Sequence, residues 1–281
     1  MTAPAETRFR TRDGITLSAL NWSGPDGRTP VLCLPGLTRS ARDFAILAQR
    51  QAPRRRVLAL DYVGHGASER AQEVARYRVE ESLRDVLDAM AALHCHRAVV
   101  VGTSFGGLIG MVMAVLRPTA LAGLVMNDIG PHIEPVGTGH VRNFVGADPA
   151  LPSLDATVEH LQRVLPPLRM DEAGWRRFAA SAFAEGEDGR WHPRWDTRIA
   201  QAIEAGGDMP DLWPAFGALA HLPVMLVRGE VSELLSAETS GRMRREHPGL
   251  AFVEVAGVGH SPTLEEEEVA GPLDAFLDAI P

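Results

Sequence analysis

Short apolar runs alternate with helical patterns along most of the chain. Eight runs read as strands: 7–11, 16–22, 31–34, 57–61, 98–102, 121–127, 224–228 and 252–255. Asp13-Gly14 between the first two is a hairpin signal. The later runs are separated by helices, which implies crossover connections and a mostly parallel sheet. Over 79–93 the apolar residues Val79, Leu83, Val86, Leu87, Met90 and Leu93 follow helical spacing, and Val269, Leu273, Phe276, Leu277 and Ile280 repeat it near the C-terminus. The segment 105–116 is apolar nearly all round, so its helix is expected to be deeply buried.

This alternation stops at Pro131 and resumes after Pro214, a gap far longer than a strand-to-helix connection needs. The gap holds Trp175, Trp191, Trp195 and Trp213, four of the five tryptophans, and helical patterns at 154–165, 171–184 and 197–205. The expected organisation is an α/β core from residues 1–130 and 215–281, with 131–214 as a helical cap inserted over the C-terminal edge of the sheet. Open α/β sheets bind ligands at that edge. The tryptophans, with Phe144, Phe178 and Phe183, are candidates to line an apolar pocket, and Arg142, Arg194 and Arg198 are candidates to meet a substrate carboxylate.

Composition narrows the function classes. A chain of 281 residues, 45% hydrophobic and 23% charged, has enough apolar material for a sizeable core. A net charge of −8 and a pI near 5.7 argue against a nucleic-acid-binding face, and Arg54, Arg55 and Arg56 read as a solvated turn. Two cysteines, Cys33 and Cys95, make no disulfide framework, and Cys33 sits within an apolar run. Residues 1–12 lack an apolar signal-peptide core, and the longest apolar run, 108–116, is too short to span a bilayer. The expectation is a cytoplasmic monomer or homodimer whose partner is a small-molecule substrate, with neither nucleic acid nor membrane involved.

The strongest chemical signal is Gly102-Thr103-Ser104-Phe105-Gly106-Gly107, between a strand and an apolar helix. A serine on so sharp a turn has a strained backbone, and glycine at 102 and 106 relieves the crowding around it. The helix start also sets the Phe105 N–H beside the nucleophile, where it can stabilise an oxyanion. A second donor is expected after the third strand, where Gly36 lets backbone approach and Leu37 offers its N–H.

A serine hydroxyl needs a base held by a third group. His260 follows the last strand in the glycine-flanked loop Gly257-Val258-Gly259-His260 and is the candidate base. The candidate acid is Glu233, in the loop after the strand 224–228, with Asp128 as the alternative at the end of 121–127 and Glu230 as a third possibility. His94 and His96 read as a helix end rather than a metal site, and Asp61 to Ser68 as a structural turn bordering the site.

Taken together, these motifs resemble the α/β-hydrolase superfamily. Asp61 to Ser68 is similar to its Asp-x-x-Gly-x-Gly-x-Ser turn, and Pro35-Gly36 looks like its oxyanion motif, where His-Gly is commoner. The acid loop more often carries Asp where this chain has Glu233, which keeps Asp128 open. The resemblance implies an α/β-hydrolase fold, a mostly parallel eight-stranded sheet flanked by helices, and a cap that selects substrate. Related dehalogenases and epoxide hydrolases use Asp at the elbow, whereas Ser104 leads to an acyl-enzyme that water resolves. The implied reaction is hydrolysis of an ester, lactone or thioester of a small to medium apolar substrate, or of a C–C bond beside a ketone. A slow-turnover ligand-binding protein is the reading from another class. No metal or organic cofactor is required. Of the acids, Glu233→Gln is expected to cost far more activity than Asp128→Asn. Ser104→Ala is expected to abolish hydrolysis with the fold intact by circular dichroism; wild-type turnover in that variant would refute a serine mechanism.

Overall fold

The alternation of strands and helices is realised in chain order. In the computed structural model, which describes residues 3–207 and 210–281, the chain opens with β1 (Ala5–Arg10), β2 (Thr16–Trp22) and β3 (Val31–Leu34). It continues through α1 (Ala45–Gln51), β4 (Val57–Asp61), α2 (Val79–Ala92), β5 (Ala98–Thr103), α3 (Phe105–Leu116) and β6 (Leu121–Asn127). Next come α4 (Pro135–Val145), α5 (Leu154–Val164), α6 (Glu172–Ala182), β7 (Phe183–Glu185), β8 (Trp191–Pro193), α7 (Ile199–Ala205) and α8 (Trp213–Gly217). The chain ends with β9 (Val224–Gly229), α9 (Ala237–Glu246), β10 (Ala251–Val255) and α10 (Glu267–Asp278). The spans 1–130 and 131–214 thus include Met1, Thr2, Asp208 and Met209, which lie outside the described residues.

Eight strands form one sheet in the order β1-β2-β4-β3-β5-β6-β9-β10. β2 pairs antiparallel with β1 and β4, and the remaining pairs are parallel. Helices on both faces explain why β3 to β6 and β9 are buried along their whole length. Alternate residues serve opposite faces. Leu32, Leu58, Val100 and Leu124 pack toward α2 and α3, whereas Val31, Val57, Val99 and Val125 pack toward α1 and α10. Cys33 belongs to the second layer, and burial pushes its thiol pKa up, as expected of packing rather than reactivity. Helix α3 is buried except at its C-terminal end, where Val115 and Leu116 are exposed. Among the described residues, no helix is long and apolar enough to cross a membrane.

Between β6 and β9 the chain departs from the expected pattern in three ways, the smallest being the short helix α8 at Trp213–Gly217. An additional helix, α4, begins at Pro135, and the segment expected to be helical to 184 turns into the antiparallel pair β7–β8 after Ala182. Side-chain packing, not periodicity, decides the strand pair. Phe183 packs edge-on against Trp195, whose Nε1–H donates to the Val145 carbonyl at 2.8 Å. Residues 194–198 also tie this segment to the turn after β4. The Asp196 and Gly66 N–H groups donate to the Gly64 and Arg194 carbonyls, and the Tyr77 hydroxyl donates to Asp196 at 2.6 Å.

That turn is organised by Asp61, which is buried. Its Oδ1 accepts the Ala41 N–H at 2.7 Å and its Oδ2 the Ala67 N–H at 3.0 Å. A Cβ on Gly66 would sit 2.1 Å from Asp61 Oδ2, and Gly66 has φ +55°, so glycine alone fits. Burial pushes the Asp61 pKa up to about 6, against the opposing pull of the two amides. A carboxyl harder to ionise folded than unfolded stabilises the native state below its unfolded value of 3.8. That contribution is lost as pH rises through about 6. The stability advantage of wild type over Asp61→Asn is therefore expected to shrink by about 1–3 kcal/mol across that window. Urea melts at a series of pH values measure it, and a pH-independent difference would eliminate Asp61 as the source.

Candidate active site

Ser104 ends β5 at the tightest point of the fold. Its φ of 50° and ψ of −112° lie outside the ordinary regions for a non-glycine residue, and its N–H donates to the Asn127 carbonyl at 2.9 Å. The two glycines answer a steric demand. A Cβ on Gly102 would fall 2.3 Å from the Gly106 carbonyl carbon, and one on Gly106 would fall 2.0 Å from the Leu34 carbonyl oxygen.

Across from Ser104, the loop after β10 brings in His260. Its Nδ1 lies 2.8 Å from Asp128 Oδ2 and its Nε2 2.9 Å from Ser104 Oγ. An ionised carboxylate only accepts, so Nδ1–H donates to Asp128 and Nε2 is left to accept the Ser104 hydroxyl. Asp128 is fully buried with φ 56°, one residue beyond β6, and its second oxygen accepts the Gly229 N–H at 2.8 Å. The histidine loop is held from three sides. Glu230 accepts the Gly257 N–H at 2.8 Å, the Gly259 N–H donates to the Pro167 carbonyl at 2.7 Å, and Asn127 Nδ2 donates to the Pro262 carbonyl at 2.8 Å.

The structure corrects the expectation for Glu233. Its carboxylate lies 2.6 Å from Nδ1 of His140 on α4, half-exposed at the cavity edge, and does not meet His260. The reason lies in the backbone. Helix α4 packs directly on this loop, where a Cβ on Gly137 would stand 2.6 Å from the Glu233 carbonyl, and the Glu134 N–H donates to Leu234. The side chain is left on the outer rim. The β9 end therefore meets the Ser104–His260–Asp128 chain through the Gly229 amide, not through Glu233. Glu230, the third possibility, braces the histidine loop through Gly257.

Opposite the helix start, Gly36 to Arg39 form a turn closed by the Arg39 N–H on the Gly36 carbonyl at 3.1 Å. His65 steadies it: Nε2 lies 2.8 Å from the Leu37 carbonyl and Nδ1 3.0 Å from that of Val63. Burial lowers the pKa of this imidazole, against the pull of the two carbonyls toward the charged form. Among the described residues, neither the Leu37 nor the Phe105 N–H has a hydrogen-bond partner in the fold. A Cβ on Gly36 would sit 3.5 Å from Ser104 Cβ, so this turn lies against the elbow.

Above these groups lies a cavity of about 110 Å³, roofed by Phe144, Leu161, Val164, Leu165 and Phe178 from α4 to α6 and the residue after α5. None of the four inserted tryptophans lines it. Trp195 and Trp175 instead pack behind Phe144 and Phe178. Arg142, Arg194 and Arg198 do not line it either; Arg198 pairs with Asp196, and Arg194 donates to the Ala180 and Phe183 carbonyls. The cation on the wall is Arg39, which sequence reasoning missed although it lies two residues beyond Leu37. Given the hydrogen-bonded chain, Asp128→Asn is expected to lower kcat on any turned-over substrate by roughly 10³–10⁴-fold. Glu233→Gln should stay within about fivefold of wild type, as surface pairs contribute little. Steady-state kinetics of the two variants decide it, and the opposite ranking would return Glu233 to the triad.

Comparison with known proteins agrees with this architecture. The alpha/beta hydrolase family profile matches residues 31–271. A 3-hydroxybutyrate-oligomer hydrolase of Cupriavidus necator is 32% identical over 255 residues, 86% of each chain. A 2-(acetamidomethylene)succinate hydrolase of Mesorhizobium japonicum is 28% identical over 87% of this chain and 88% of its own. Among solved structures, an alpha/beta hydrolase from Novosphingobium aromaticivorans superposes with a TM-score of 0.94 at 35% identity over the full length of both chains. With the sheet order, the elbow and these relatives in agreement, the chain belongs to the alpha/beta hydrolase family and is a hydrolase.

Proposed function

We propose that the protein hydrolyses a carboxylic ester or lactone of a small to medium apolar substrate through an acyl-enzyme. In this reading Ser104 is the nucleophile, His260 the general base and Asp128 the acid. The observation that carries it is the continuous Ser104–His260–Asp128 hydrogen-bonded chain opening into an apolar cavity. The relative named for 3-hydroxybutyrate oligomers adds support, since a hydroxy-acid oligomer is joined by ester bonds.

Ser104 Oγ attacks the carbonyl carbon as its proton passes to His260 Nε2. The carbonyl oxygen becomes an oxyanion facing the Leu37 and Phe105 amides, and each such donor contributes about 3–4 kcal/mol to the transition state. Asp128 steadies the imidazolium through Nδ1 and accepts the Gly229 N–H with its other oxygen. When the tetrahedral adduct collapses, the alkoxide leaves with the proton from Nε2. Water then attacks the acyl carbon, gives a proton to His260, and the second collapse returns that proton to Ser104 Oγ with release of the acid. In this scheme residues 131–214 act as the cap, and their apolar roof favours an acyl chain over bulk water.

A fluorophosphonate probe followed by peptide mass spectrometry is expected to place one adduct on Ser104, lost in Ser104→Ala. A panel of ethyl esters of increasing acyl length should show an optimum at short chains. Labelling elsewhere, or turnover of vinylogous diketones with no ester hydrolysed, would overturn ester hydrolysis and favour C–C cleavage.

A further inference from the structure

We propose that the substrate carries a carboxylate a few bonds from the scissile carbonyl, and that Arg39 binds it. This deepens the ester-hydrolase reading and rests on Ser104 as nucleophile. Arg39 belongs to the same turn as Leu37, so the element that offers an oxyanion amide also offers a cation. The point just off Gly36 lies 3.5 Å from Ser104 Cβ and 3.7 Å from Arg39 Cγ, which sets the base of the arginine side chain beside the nucleophile.

Among the described residues, Arg39 is the only Lys or Arg on the wall of this cavity. The other ionisable groups there are already engaged: His260 in the hydrogen-bonded chain, and His140 with Glu233 at the rim. Arg39 itself is held ready. Its Nε donates to Asp43, and the guanidinium carbon stacks 3.8 Å over the centre of the Phe178 ring. No partner is present on either terminal nitrogen among the described residues, so that edge of the fork is uncommitted.

The counter-ion does not compete for the same space. Asp43 accepts from Arg39 with one oxygen and from the Ser181 hydroxyl with the other. It borders a small adjoining recess with Pro35 and Phe44 and is absent from the wall of the main cavity, which Arg39 shares with both. Asp43 engages only Nε, which leaves the two terminal nitrogens for a second carboxylate. In a largely apolar, partly enclosed pocket, such an ion pair is stronger than in water.

The test compares monoethyl glutarate with ethyl valerate, which have the same acyl length and differ in the terminal carboxylate, by acid release in a pH-stat. Wild type is expected to favour the anionic ester in kcat/KM by roughly tenfold or more. Arg39→Met, which removes the charge and the fork but keeps an unbranched side chain, should reduce the anionic-to-neutral ratio by about tenfold, mainly through KM. Arg39→Lys should recover part of the ratio, since it keeps the charge and loses the fork; it carries the test alone if the methionine variant does not fold. A wild-type ratio of one or less, or a ratio unmoved by both substitutions, overturns the proposal. Calorimetry on Ser104→Ala separates it from the mechanism. Glutaramate should bind more tightly than valeramide there, and adding Arg39→Lys or Arg39→Met should remove the difference. If neither ester is hydrolysed, the ester reading fails, and Arg39-dependent glutaramate binding still supports the carboxylate site; equal binding of both amides overturns it.

Discussion

At the end of β5, three stretches of backbone meet with no room for a side chain between them. The Leu34 carbonyl occupies the space a Cβ at 106 would need, and the Gly106 carbonyl carbon blocks position 102. This contact forces the chain to reverse within a residue, and the reversal falls on Ser104, whose backbone takes a conformation that costs on the order of 1–3 kcal/mol. Everything at the site is indexed to it. The close approach of β3 to α3 sets the spacing between the Leu37 and Phe105 amides. The hydrogen bond from the Ser104 amide to Asn127 ties the elbow to the strand that ends at the buried acid.

The sheet turns this local strain into a shared frame. β3, β5, β6 and β9 are parallel neighbours, so their C-terminal ends open on the same side. Each contributes one part: the Gly36 turn, Ser104, Asp128, and the Gly229 amide that accompanies the acid. The loop after β10 needs only to reach across with His260. Groups set at strand ends are held more firmly than groups set on loops alone. The inserted helices then cover Ser104 and His260 with apolar side chains, which lowers the local dielectric.

Much of the core was legible because its signals are local. Ser104 and His260 each sit in a glycine-marked turn whose meaning depends on a few neighbours, and the eight strand runs match the sheet to within two residues at their starts and two at their ends. Asp128 and Glu233 could not be ranked from sequence, because both follow strands and both are carboxylates. What separates them is the packing of α4 on the Glu233 loop and the left-handed backbone at Asp128, and neither leaves a periodic trace. The inserted tryptophans misled for a related reason: large aromatic surface is as readily buried behind a pocket as in front of it. Arg39 lay in plain view, yet its importance depends on Phe178 and Asp43, residues on other elements that only the fold brings together.

The bond from the Gly259 amide to the Pro167 carbonyl joins the linker between α5 and α6 to the loop that carries His260. Pro166 also lines the cavity and leaves no space for a Cβ at Gly259. This part of the cavity wall and the loop that carries His260 are therefore one mechanical unit. Residues that share a network do not contribute independently, and their substitution energies do not add. A substitution that reshapes the cavity at the 166–167 linker is therefore also one that displaces His260. Helix α4 reaches the same loop less directly, through the 230–235 segment whose Glu230 and Val231 bond to Gly257 and Val258.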